Sequence, residues 1–482
     1  METLQMYIGG EWVDSLTGQT FEATNPATQE VIAHLQEGGR EDARRAIEAA
    51  NRARPVAARM SVWERSKMCF RLAEAIERHA EELAQVLTRD QGKPLHGEAR
   101  FEVSKAAEGF RYAGEQVKWL ETSVIPVEAA SKRVFSIRQP RGVYAIVTPW
   151  NFPYNIPVEY MAPGLAAGNT IVWVPAPTTS VCAVKLMKVL EEADVPPGFI
   201  NLVTGPGPVV GDEIVGHPDT HAVGFTGSPE TGRKIAQRAA CKPCLLELGG
   251  NGPTVILDDA DLDPAASATA LGCWLNAGQI CCATERILVH ERVRDQVVEG
   301  LVKSANGVVL GDPTRAETTM GPLNNEPTAH KNDGHIADAL EKGARLLAGG
   351  SRQPKLGSPL FYQPTVLVDC KPEMLVNHEE SFGPLAPVFT VGDDEEALRL
   401  ANQCDLGLVS AVFTRDLNRA FKFSERLQTG IVMVNEFTDY WELHIPFGGA
   451  SGKRSGVGRI GGRQALLEMT DLKTICFEVG TL

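Results

Sequence analysis

The segment Val143-Tyr144-Ala145-Ile146-Val147 opens the part of the chain that decides the fold. It is an unbroken apolar run, and similar runs follow at 171–174, 200–203, 223–226 and 245–248, each separated from the next by residues with helical spacing. Strands buried on both faces lose polar–apolar alternation, and strands that alternate with helices form parallel sheets. The stretch therefore predicts an α/β fold, in which ligands bind at the carboxyl ends of the strands.

The flanking sequence predicts further units on both sides. On the amino-terminal side, the spacing of Leu72, Ile76, Leu83 and Leu87 predicts one long amphipathic helix that ends at Gly92. Residues 122–140 alternate like edge strands, and the tail 470–479 predicts a last strand that pairs with them. Residues 251–449 predict a second α/β unit.

The bulk properties exclude several function classes. The 482 residues are too many for one simple core. A net charge of −14 without a basic run argues against nucleic acid as a partner, and no run approaches the ~20 apolar residues of a membrane span. The first residues lack the features of a signal peptide, and the ten cysteines do not have the spacing of a disulfide framework. These features predict a cytoplasmic protein.

A thiol in the stretch Gly278-Gln279-Ile280-Cys281-Cys282 is the first candidate for chemistry. The stretch forms a turn between a predicted helix at 263–276 and a predicted strand at 286–290. A small molecule can reach a cysteine on such a turn, whereas a cysteine inside a helix usually fills space. We therefore predict that Cys281 is a nucleophile.

Three polar side chains follow predicted strands or lie in loops, and each has two interpretations. Glu247 ends an apolar strand, where burial would raise its pKa and make it a general base, unless a lysine or arginine pairs with it. Asn151 lies in a proline-braced loop, where its amide either faces a ligand or holds the turn. Glu380 either bonds a sugar hydroxyl or belongs to a solvated pair of charges.

Glycine-rich turns supply candidate phosphate sites. Residues 225–232 end a strand and begin a helix that Ser228 can cap. This helix start either binds an anion such as a phosphate or is only an ordinarily capped helix. Residues 205–211 depart from the dinucleotide fingerprint, so we interpret Gly207 as part of a turn beside the cofactor. The pair Cys241 and Cys244 lacks partner ligands and predicts a turn, and we expect no metal.

Six motifs, at 148–153, 225–228, 246–250, 278–281, 380–384 and 446–449, occur together in one order. In that order they resemble the NAD(P)-dependent aldehyde dehydrogenase superfamily, over nearly the whole chain. Cys281 follows Glu247 by 34 residues, as the nucleophile follows the base in that family. The resemblance implies a Rossmann-type cofactor domain (1–121 and 141–250), an α/β catalytic domain (251–449) and a small β oligomerisation arm (122–140 and 463–482). It also implies a homodimer or homotetramer.

The resemblance assigns catalytic roles to three residues. Cys281 would attack the aldehyde carbon and form a thiohemiacetal and then a thioester. Asn151 would hold the oxyanion, and Glu247 would activate the water that releases the acid. Relatives that form acyl-CoA usually lack a base at the position of Glu247, so its presence favours a carboxylic acid product.

The resemblance also implies cofactor contacts, with Glu380 at the nicotinamide ribose. The complete predicted set is Thr148, Pro149, Trp150, Val174, Pro177, Gly207, Phe225, Gly227, Ser228, Leu248, Glu380 and Phe382. The family usually has a lysine where this chain has Val174 and often a glutamate where it has Pro177. The loss of the lysine removes a cation that would bind a 2′-phosphate, and the loss of the glutamate removes a charge that would repel it. The cofactor is therefore NAD or NADP, with NAD favoured. The chain also departs from the family at 449–456, a segment that is about two residues longer than usual.

Substrate contacts are predicted for Tyr154, Glu159, Ile280, Cys282, Tyr440 and Trp441. The loop 436–444 contains no arginine or lysine, which disfavours a semialdehyde with a terminal carboxylate. The aromatic residues favour an apolar or aromatic aldehyde unless they only pack. Glu159 either favours a polar or cationic tail or forms a salt bridge.

Two other function classes remain as alternatives. A binding or structural protein could retain the fold without turnover, although the combination of Cys281, Glu247, Asn151 and Glu380 speaks against it. A thiol esterase could use Cys281 without a nucleotide, but no histidine in the surrounding sequence is placed as its base.

Overall fold

Two large sheets form the framework of the chain in the computed structural model, which describes residues 2–480. The strands are β1 Thr3–Leu4, β2 Met6–Ile8, β3 Glu11–Val13, β4 Thr20–Thr24, β5 Val31–Gln36, β6 Val124–Ile125, β7 Lys132–Pro140, β8 Val143–Val147, β9 Thr170–Val174, β10 Ile200–Leu202, β11 Ala222–Gly227, β12 Cys244–Leu248, β13 Gly252–Ile256, β14 Thr284–His290, β15 Arg345–Ala348, β16 Thr365–Val368, β17 Leu385–Val391, β18 Val409–Phe413, β19 Ile431–Val434, β20 Gly456–Val457 and β21 Thr470–Glu478.

Helices cover these sheets. They are α1 Arg40–Arg59, α2 Val62–Arg78, α3 Ala80–Gln91, α4 Arg100–Gln116, α5 Asn155–Ala167, α6 Ser180–Glu191, α7 Asp212–Gly216, α8 Pro229–Ala239, α9 Leu262–Trp274, α10 Arg294–Gly307, α11 Glu326–Glu341, α12 Leu375–His378, α13 Asp394–Asn402, α14 Leu417–Arg426 and α15 Gly462–Glu468. Within residues 2–480, none of them is long and apolar enough to cross a membrane.

The first sheet has the strand order β20-β12-β11-β8-β9-β10-β2-β3. Its five central strands, β12 to β10 in this order, are parallel. The flanking strands β20 and β2 are antiparallel to them, and the edge strand β3 is antiparallel to β2. Strands β8 and β9 are buried almost throughout, which agrees with their continuous apolar sequence. The predicted parallel sheet with helices between its strands is thus confirmed.

The second sheet has the order β15-β16-β17-β14-β13-β18-β19, and all its pairs except β15 with β16 are parallel. Strand β13 starts four residues after β12 ends, so the carboxyl edge of the first sheet meets the amino edge of the second. Thr284 of β14 lies opposite Gly252 of β13. The loops before β14 and β17 therefore face the loops after β8, β11 and β12, and this junction brings the candidate residues together.

A third, antiparallel sheet of order β21-β7-β6 forms the arm. Thr470 lies opposite Pro140 and Glu478 opposite Lys132, so the predicted pairing of the tail with the arm is confirmed. Helix α15, which overlaps the segment 463–482 that was predicted as arm, packs on α4 and α5 and buries Leu466 there. Residues 481 and 482 of that segment, like residue 1 of the predicted cofactor domain, lie outside the described residues.

The prediction of one long helix over residues 72–87 is wrong. The chain leaves helical geometry at His79 (φ −106°, ψ 15°), so α2 and α3 are separate helices. Leu72, Ile76, Leu83 and Leu87 are all buried, because both helices turn their apolar faces to the same core. Gly92 ends α3 in a left-handed conformation (φ 104°), as its sequence position predicts.

Candidate active site

The turn that carries Cys281 contains three consecutive left-handed residues. Asn276, Ala277 and Gly278 have φ values of 48°, 54° and 72°. A Cβ on Gly278 would lie 2.1 Å from the carbonyl oxygen of Gly383, so only glycine fits there. Helix α9 therefore ends two residues earlier than predicted, and the tight turn leaves Cys281 partly exposed.

The side chain of Gln279 fixes this turn. Its Nε2 donates to the Asn276 carbonyl at 2.8 Å, and its Oε1 accepts from the Asn324 N–H at 2.9 Å. The Gln279 carbonyl in turn accepts from Nδ2 of Asn151 at 3.0 Å. The amide of Asn151 is thus held beside the turn two residues before Cys281.

A buried ion pair orients the Asn151 loop from behind. Nζ of Lys93 lies 2.6 Å from Oε2 of Glu102 and donates to the Asn151 carbonyl at 3.0 Å. Oε1 of Glu102 accepts from the N–H groups of Tyr154 and Asn155 at 2.9 and 3.2 Å. Removing one partner of a buried pair typically costs about 3–5 kcal/mol. Sequence reasoning missed this pair, because Lys93 stands in an ordinary helix-terminating segment.

Glu247 lies near the carboxyl end of β12, against the Cys281 turn. A Cβ on Gly250 would lie 2.1 Å from the Cys281 carbonyl oxygen, so glycine lets the two segments touch. Burial raises the pKa of Glu247 to about 8, and the Glu380 carboxyl adds to the rise. Its Oε1 is buried without a hydrogen-bond partner among the described residues.

The pKa of the Cys281 thiol is also raised. The chief cause is a hydrogen bond to Cys282, followed by burial and by the nearby Glu247 carboxyl. The site therefore combines a neutral thiol with a carboxyl whose pKa lies close to physiological pH. The raised pKa of the carboxyl makes it a better acceptor for the thiol proton than an exposed glutamate would be.

A cavity of about 370 Å³ opens on one side of Cys281. Six of the predicted cofactor residues line it, namely Pro149, Trp150, Gly227, Ser228, Glu380 and Phe382. Helix α8 starts here, and Oγ of its cap Ser228 accepts from the Thr231 N–H at 3.3 Å. Lys331 of α11 also lines the cavity, and sequence reasoning missed it because it stands in a polar helix without a motif.

The Glu380 loop is held in place by a second buried carboxylate. Oε1 of Glu380 accepts from the Gly250 N–H at 2.9 Å. Phe382 has a left-handed backbone (φ 57°), and its N–H donates to Glu285 at 2.8 Å. Its ring meets Trp150 edge-on at 5.4 Å. Glu285 was missed as well, because it reads as an ordinary polar residue at the start of β14.

A second cavity, of about 340 Å³, opens on the other side of Cys281. Four of the predicted substrate residues line it, namely Glu159, Ile280, Cys282 and Trp441. The rings of Phe152, Phe437 and Phe447 make much of its wall apolar. Among the residues that the structure describes, only Glu247 and Cys281 line both cavities.

Two predicted substrate residues lie outside this cavity. Tyr154 is fully buried and its hydroxyl donates to the Leu83 carbonyl at 3.1 Å, so the prediction that it lines the cavity is wrong. Tyr440 is 43% exposed and its hydroxyl donates to Glu442, so it too is absent from the wall. Both were chosen for their aromatic character, which does not fix the direction of a side chain.

The remaining predicted cofactor residues do not line the first cavity. Val174 is buried at the end of β9, Pro177 is exposed, and Gly207 starts a short helical turn at Gly207–Gly211. The hydroxyl of Thr148 accepts from Trp173 Nε1 at 2.8 Å, and Phe225 and Leu248 pack against glycines of the phosphate turn. Their roles stay predictions.

Cys241 lies in the turn between α8 and β12, as predicted, whereas Cys244 is the first residue of β12. Cys241 has a left-handed backbone (φ 68°) and is exposed, whereas Cys244 is half-buried. In the described part of the chain, no three histidine, cysteine, aspartate or glutamate side chains are grouped to hold a metal ion.

Known proteins resemble the chain over almost its full length. The model of the aldehyde dehydrogenase family matches residues 12–475. The chain is 39% identical over 474 residues to the 3-sulfolactaldehyde dehydrogenase of Pseudomonas putida. The aligned residues cover 98% of this chain and 96% of that protein. It is 39% identical to the NADP(+) succinate-semialdehyde dehydrogenase GabD of Escherichia coli K12, with 98% and 97% covered.

A solved structure agrees with these relatives. A point mutant of the betaine aldehyde dehydrogenase of Staphylococcus aureus, in complex with NAD+, superposes with a TM-score of 0.96 at 34% identity. The match covers 99% of this chain and 98% of that one. The mixed α/β fold, with its Rossmann-type first sheet, is thus shared with these enzymes.

Proposed function

Because the chain belongs to the aldehyde dehydrogenase family, we propose that Cys281 is its nucleophile, Glu247 its base and Asn151 its oxyanion donor. The protein oxidises an aldehyde to a carboxylic acid with NAD or NADP. One observation carries the assignment of roles: Cys281 and Glu247 alone, among the described residues, line both cavities. An aldehyde in one cavity and a nicotinamide in the other therefore meet at one thiol and one carboxyl.

In the first half-reaction the Cys281 thiol passes its proton to the Glu247 carboxylate, and the sulfur attacks the aldehyde carbon. A C–S bond forms while the carbonyl electron pair moves onto the oxygen. Nδ2 of Asn151 and the Cys281 N–H stabilise that oxyanion, a contribution typically worth 10²–10³ in rate per donor. A bound NAD or NADP would supply the acceptor for the hydride that leaves the carbon, which leaves Cys281 carrying a thioester.

In the second half-reaction Glu247, which has first released the thiol proton to solvent, takes a proton from a water molecule, whose oxygen attacks the thioester carbon. The C–S bond breaks, the carboxylic acid leaves, and the Cys281 sulfur recovers a proton from Glu247. Burial raises the pKa of Glu247 to about 8, so its carboxylate is a stronger base than an exposed glutamate.

The first cavity fits a dinucleotide cofactor. The buried carboxylate of Glu380 can accept from ribose hydroxyls, and the rings of Trp150 and Phe382 can flank a nicotinamide. The start of α8 can bind a pyrophosphate. A Cβ on Gly249 would lie 2.6 Å from the Glu380 carboxylate, so glycine leaves the room that this arrangement needs. The residues of this cavity would bind and orient the cofactor, with the other predicted contacts at its adenosine end.

We expect NAD to be preferred over NADP, because the segment after β9 offers no cation for a 2′-phosphate. Its key positions are the buried Val174 and the exposed Pro177. Pro177→Glu should lower kcat/KM for NADP by at least about tenfold through charge repulsion and leave that for NAD within about threefold. Steady-state kinetics with both cofactors measures this. A wild-type enzyme that prefers NADP, or a variant with unchanged NADP use, would show that another segment decides the choice.

We propose that residues 1–121 and 141–250 form the domain that binds the cofactor, and that residues 251–449 form the domain that carries the nucleophile. We also propose that the arm, residues 122–140 and 463–482, joins subunits into a homodimer or homotetramer. Apolar side chains stand exposed on the arm, with Val124 at 81%, Leu472 at 57% and Phe477 at 50% exposure. Exposed apolar patches of this kind usually mark interfaces.

Leu472→Asp should therefore reduce the oligomer's mass in light scattering after size-exclusion chromatography. Leu417→Asp is the matched control, since Leu417 is 71% exposed on α14, outside the arm. A wild-type protein with the mass of a single chain would contradict the role of the arm.

We further propose a reducing compartment such as the cytoplasm. The ten cysteines are free thiols, including the exposed Cys241 and Cys476. Free exposed thiols persist where the surroundings are reducing.

The experiment that tests the proposed function follows the absorbance of reduced cofactor with a panel of aldehydes and quantifies the acid formed. One acid per reduced cofactor is expected. Reduction without acid, or no reduction with any aldehyde, would contradict it.

A further inference from the structure

A hydroxyl that takes no part in the proposed reaction lies beside the Glu247 carboxyl. Thr226 of β11 is the register partner of Glu247 in β12, and the side chains of paired residues leave the same face of the sheet. Both residues line the first cavity, and the Thr226 hydroxyl opposes the rise in the pKa of Glu247. Oε1 of Glu247 has no hydrogen-bond partner among residues 2–480, so this hydroxyl is placed to supply one.

The Thr226 hydroxyl is in turn bonded to a fully buried tyrosine. Oη of Tyr160, on α5, lies 2.8 Å from Oγ of Thr226, and either atom can be the donor. The same Oη donates to the Phe225 carbonyl at 3.0 Å. A Cβ on Gly224 would lie 2.6 Å from Cδ1 of Tyr160, so glycine at this position lets the ring lie across β11. Packing therefore holds the tyrosine with its hydroxyl at Thr226.

Tyr160 remains neutral and keeps its hydrogen. Burial raises the pKa of its hydroxyl well above the usual value, and the Glu247 carboxyl adds to the rise. Tyr160 and Thr226 therefore hold one hydroxyl hydrogen each. These two hydrogens can serve three acceptors, which are the Phe225 carbonyl, the oxygen of the other hydroxyl, and the Glu247 carboxylate.

This row of hydroxyls can be oriented in two directions. When Glu247 is a carboxylic acid, it donates to Thr226, Thr226 donates to Tyr160, and Tyr160 donates to the Phe225 carbonyl. When Glu247 is a carboxylate, Tyr160 donates to Thr226 and Thr226 donates to Glu247. Both protonation states thus have a partner in a buried site, where an unpaired charge is costly. The proposed reaction needs both states, because Glu247 takes up and releases a proton twice in each turnover.

We propose that Tyr160 is a positioning residue for Glu247, because its hydroxyl sets whether Thr226 donates to the base or accepts from it. Tyr160 lines neither cavity, so it acts on the base through Thr226. A hydroxyl that itself accepts a hydrogen bond is a stronger donor, so Tyr160 favours the carboxylate form of Glu247. The inference rests on the proposed role of Glu247.

Four further titratable side chains face Glu247. They are the thiols of Cys281 and Cys282 and the carboxyls of Glu159 and Glu380. No cation in the described chain is among the groups that shift the pKa of Glu247. Hydrogen-bond donors are therefore the groups that can favour its carboxylate, and the Thr226 hydroxyl is one of them.

The test measures how fast an acetyl group leaves Cys281 from about pH 6 to about pH 10. p-Nitrophenyl acetate loads the thiol, excess ester is removed, and mass spectrometry of acid-quenched samples follows the loss. Subtracting the rate in Glu247→Gln leaves the part that depends on Glu247, with a midpoint near pH 8 in the wild type. Tyr160→Phe removes only the hydroxyl and should raise this midpoint by at least about half a pH unit. The rate at pH 7 should then fall by at least about threefold.

Tyr144→Phe is the matched control. Tyr144 is also fully buried against this sheet, and its hydroxyl has no hydrogen-bond partner among the described residues. Its loss should move the midpoint by less than about 0.2 pH unit. Two variants of Thr226 guard against a Tyr160 variant that does not fold. Thr226→Val should raise the midpoint at least as much as Tyr160→Phe, and Thr226→Ser, which keeps a hydroxyl, should raise it less than half as much.

The outcomes separate this inference from the proposed function. An unchanged midpoint in Tyr160→Phe or in Thr226→Val, with slow loss of the acetyl group in Glu247→Gln, would overturn the inference alone. An equal shift in Tyr144→Phe would also overturn it, because the effect would then come from any change in the core. If Glu247→Gln released the acetyl group as fast as the wild type, the proposed role of Glu247 would fail and the inference with it.

Discussion

Cys281→Ala is expected to abolish both the burst of reduced cofactor and the steady-state rate, with a loss of at least about 10⁴-fold. Hydride can leave the substrate carbon only after a nucleophile has made that carbon tetrahedral. The turn supplies a partly exposed sulfur at Cys281 and a buried one at Cys282. Stopped-flow absorbance of the reduced cofactor measures the burst and the turnover in one experiment.

Cys282→Ala is the matched control, because it removes the neighbouring thiol from the same turn. The hydrogen bond to Cys282 is the chief cause of the raised pKa of Cys281, so this variant should lower that pKa. Its burst should persist, with an altered KM because Cys282 lines the substrate cavity. A burst that survives in Cys281→Ala and disappears in Cys282→Ala would reverse the two assignments.

Glu247→Gln is expected to retain the burst and to slow turnover by about 10²–10⁴-fold. The amide has nearly the same shape as the carboxyl, but it cannot take a proton from the attacking water. Acylation survives because thiolate can form slowly by losing its proton to solvent, whereas thioester hydrolysis needs the base at each turnover.

The turnover of the wild-type enzyme should depend on pH, because Glu247 must be ionised to act as the base. The pKa of Glu247 is raised to about 8, so the carboxyl is mostly protonated, and inactive as a base, below that pH. Deacylation should therefore accelerate as pH rises through about 8, and this rise should be absent in Glu247→Gln. A variant with normal turnover, or with the same pH profile as the wild type, would show that Glu247 is not the base.

Much of the framework could be predicted from the sequence, because its strands are buried on both faces. Such strands are continuous apolar runs, as in Val143–Val147, and a proline or glycine directly follows some of them, as Pro175 follows β9 and Gly249 follows β12. Such apolar runs are visible in the sequence because local geometry causes them. The pairing of Glu247 with Cys281 was predictable from the family resemblance, since the two residues are 34 positions apart, as the base and the nucleophile are in that family.

What the sequence could not reveal depends on contacts between distant segments. The break at His79 leaves the apolar spacing intact, so two helices look like one. Lys93 and Glu102 pair behind the Asn151 loop, yet neither belongs to a motif. Tyr154 points to the core, whereas Asp439 lines the cavity, and only packing decides such directions.

The central claim is that the carbon of the substrate becomes bonded to Cys281 and that Glu247 releases it. Its most direct test is peptide mass spectrometry of Glu247→Gln after mixing with aldehyde and NAD, quenched by acid within the first turnover. The account predicts one acyl group on Cys281, with Cys282 unmodified and with one reduced cofactor formed for each adduct. An acyl group on Cys282, or a full burst without any covalent adduct, would contradict it.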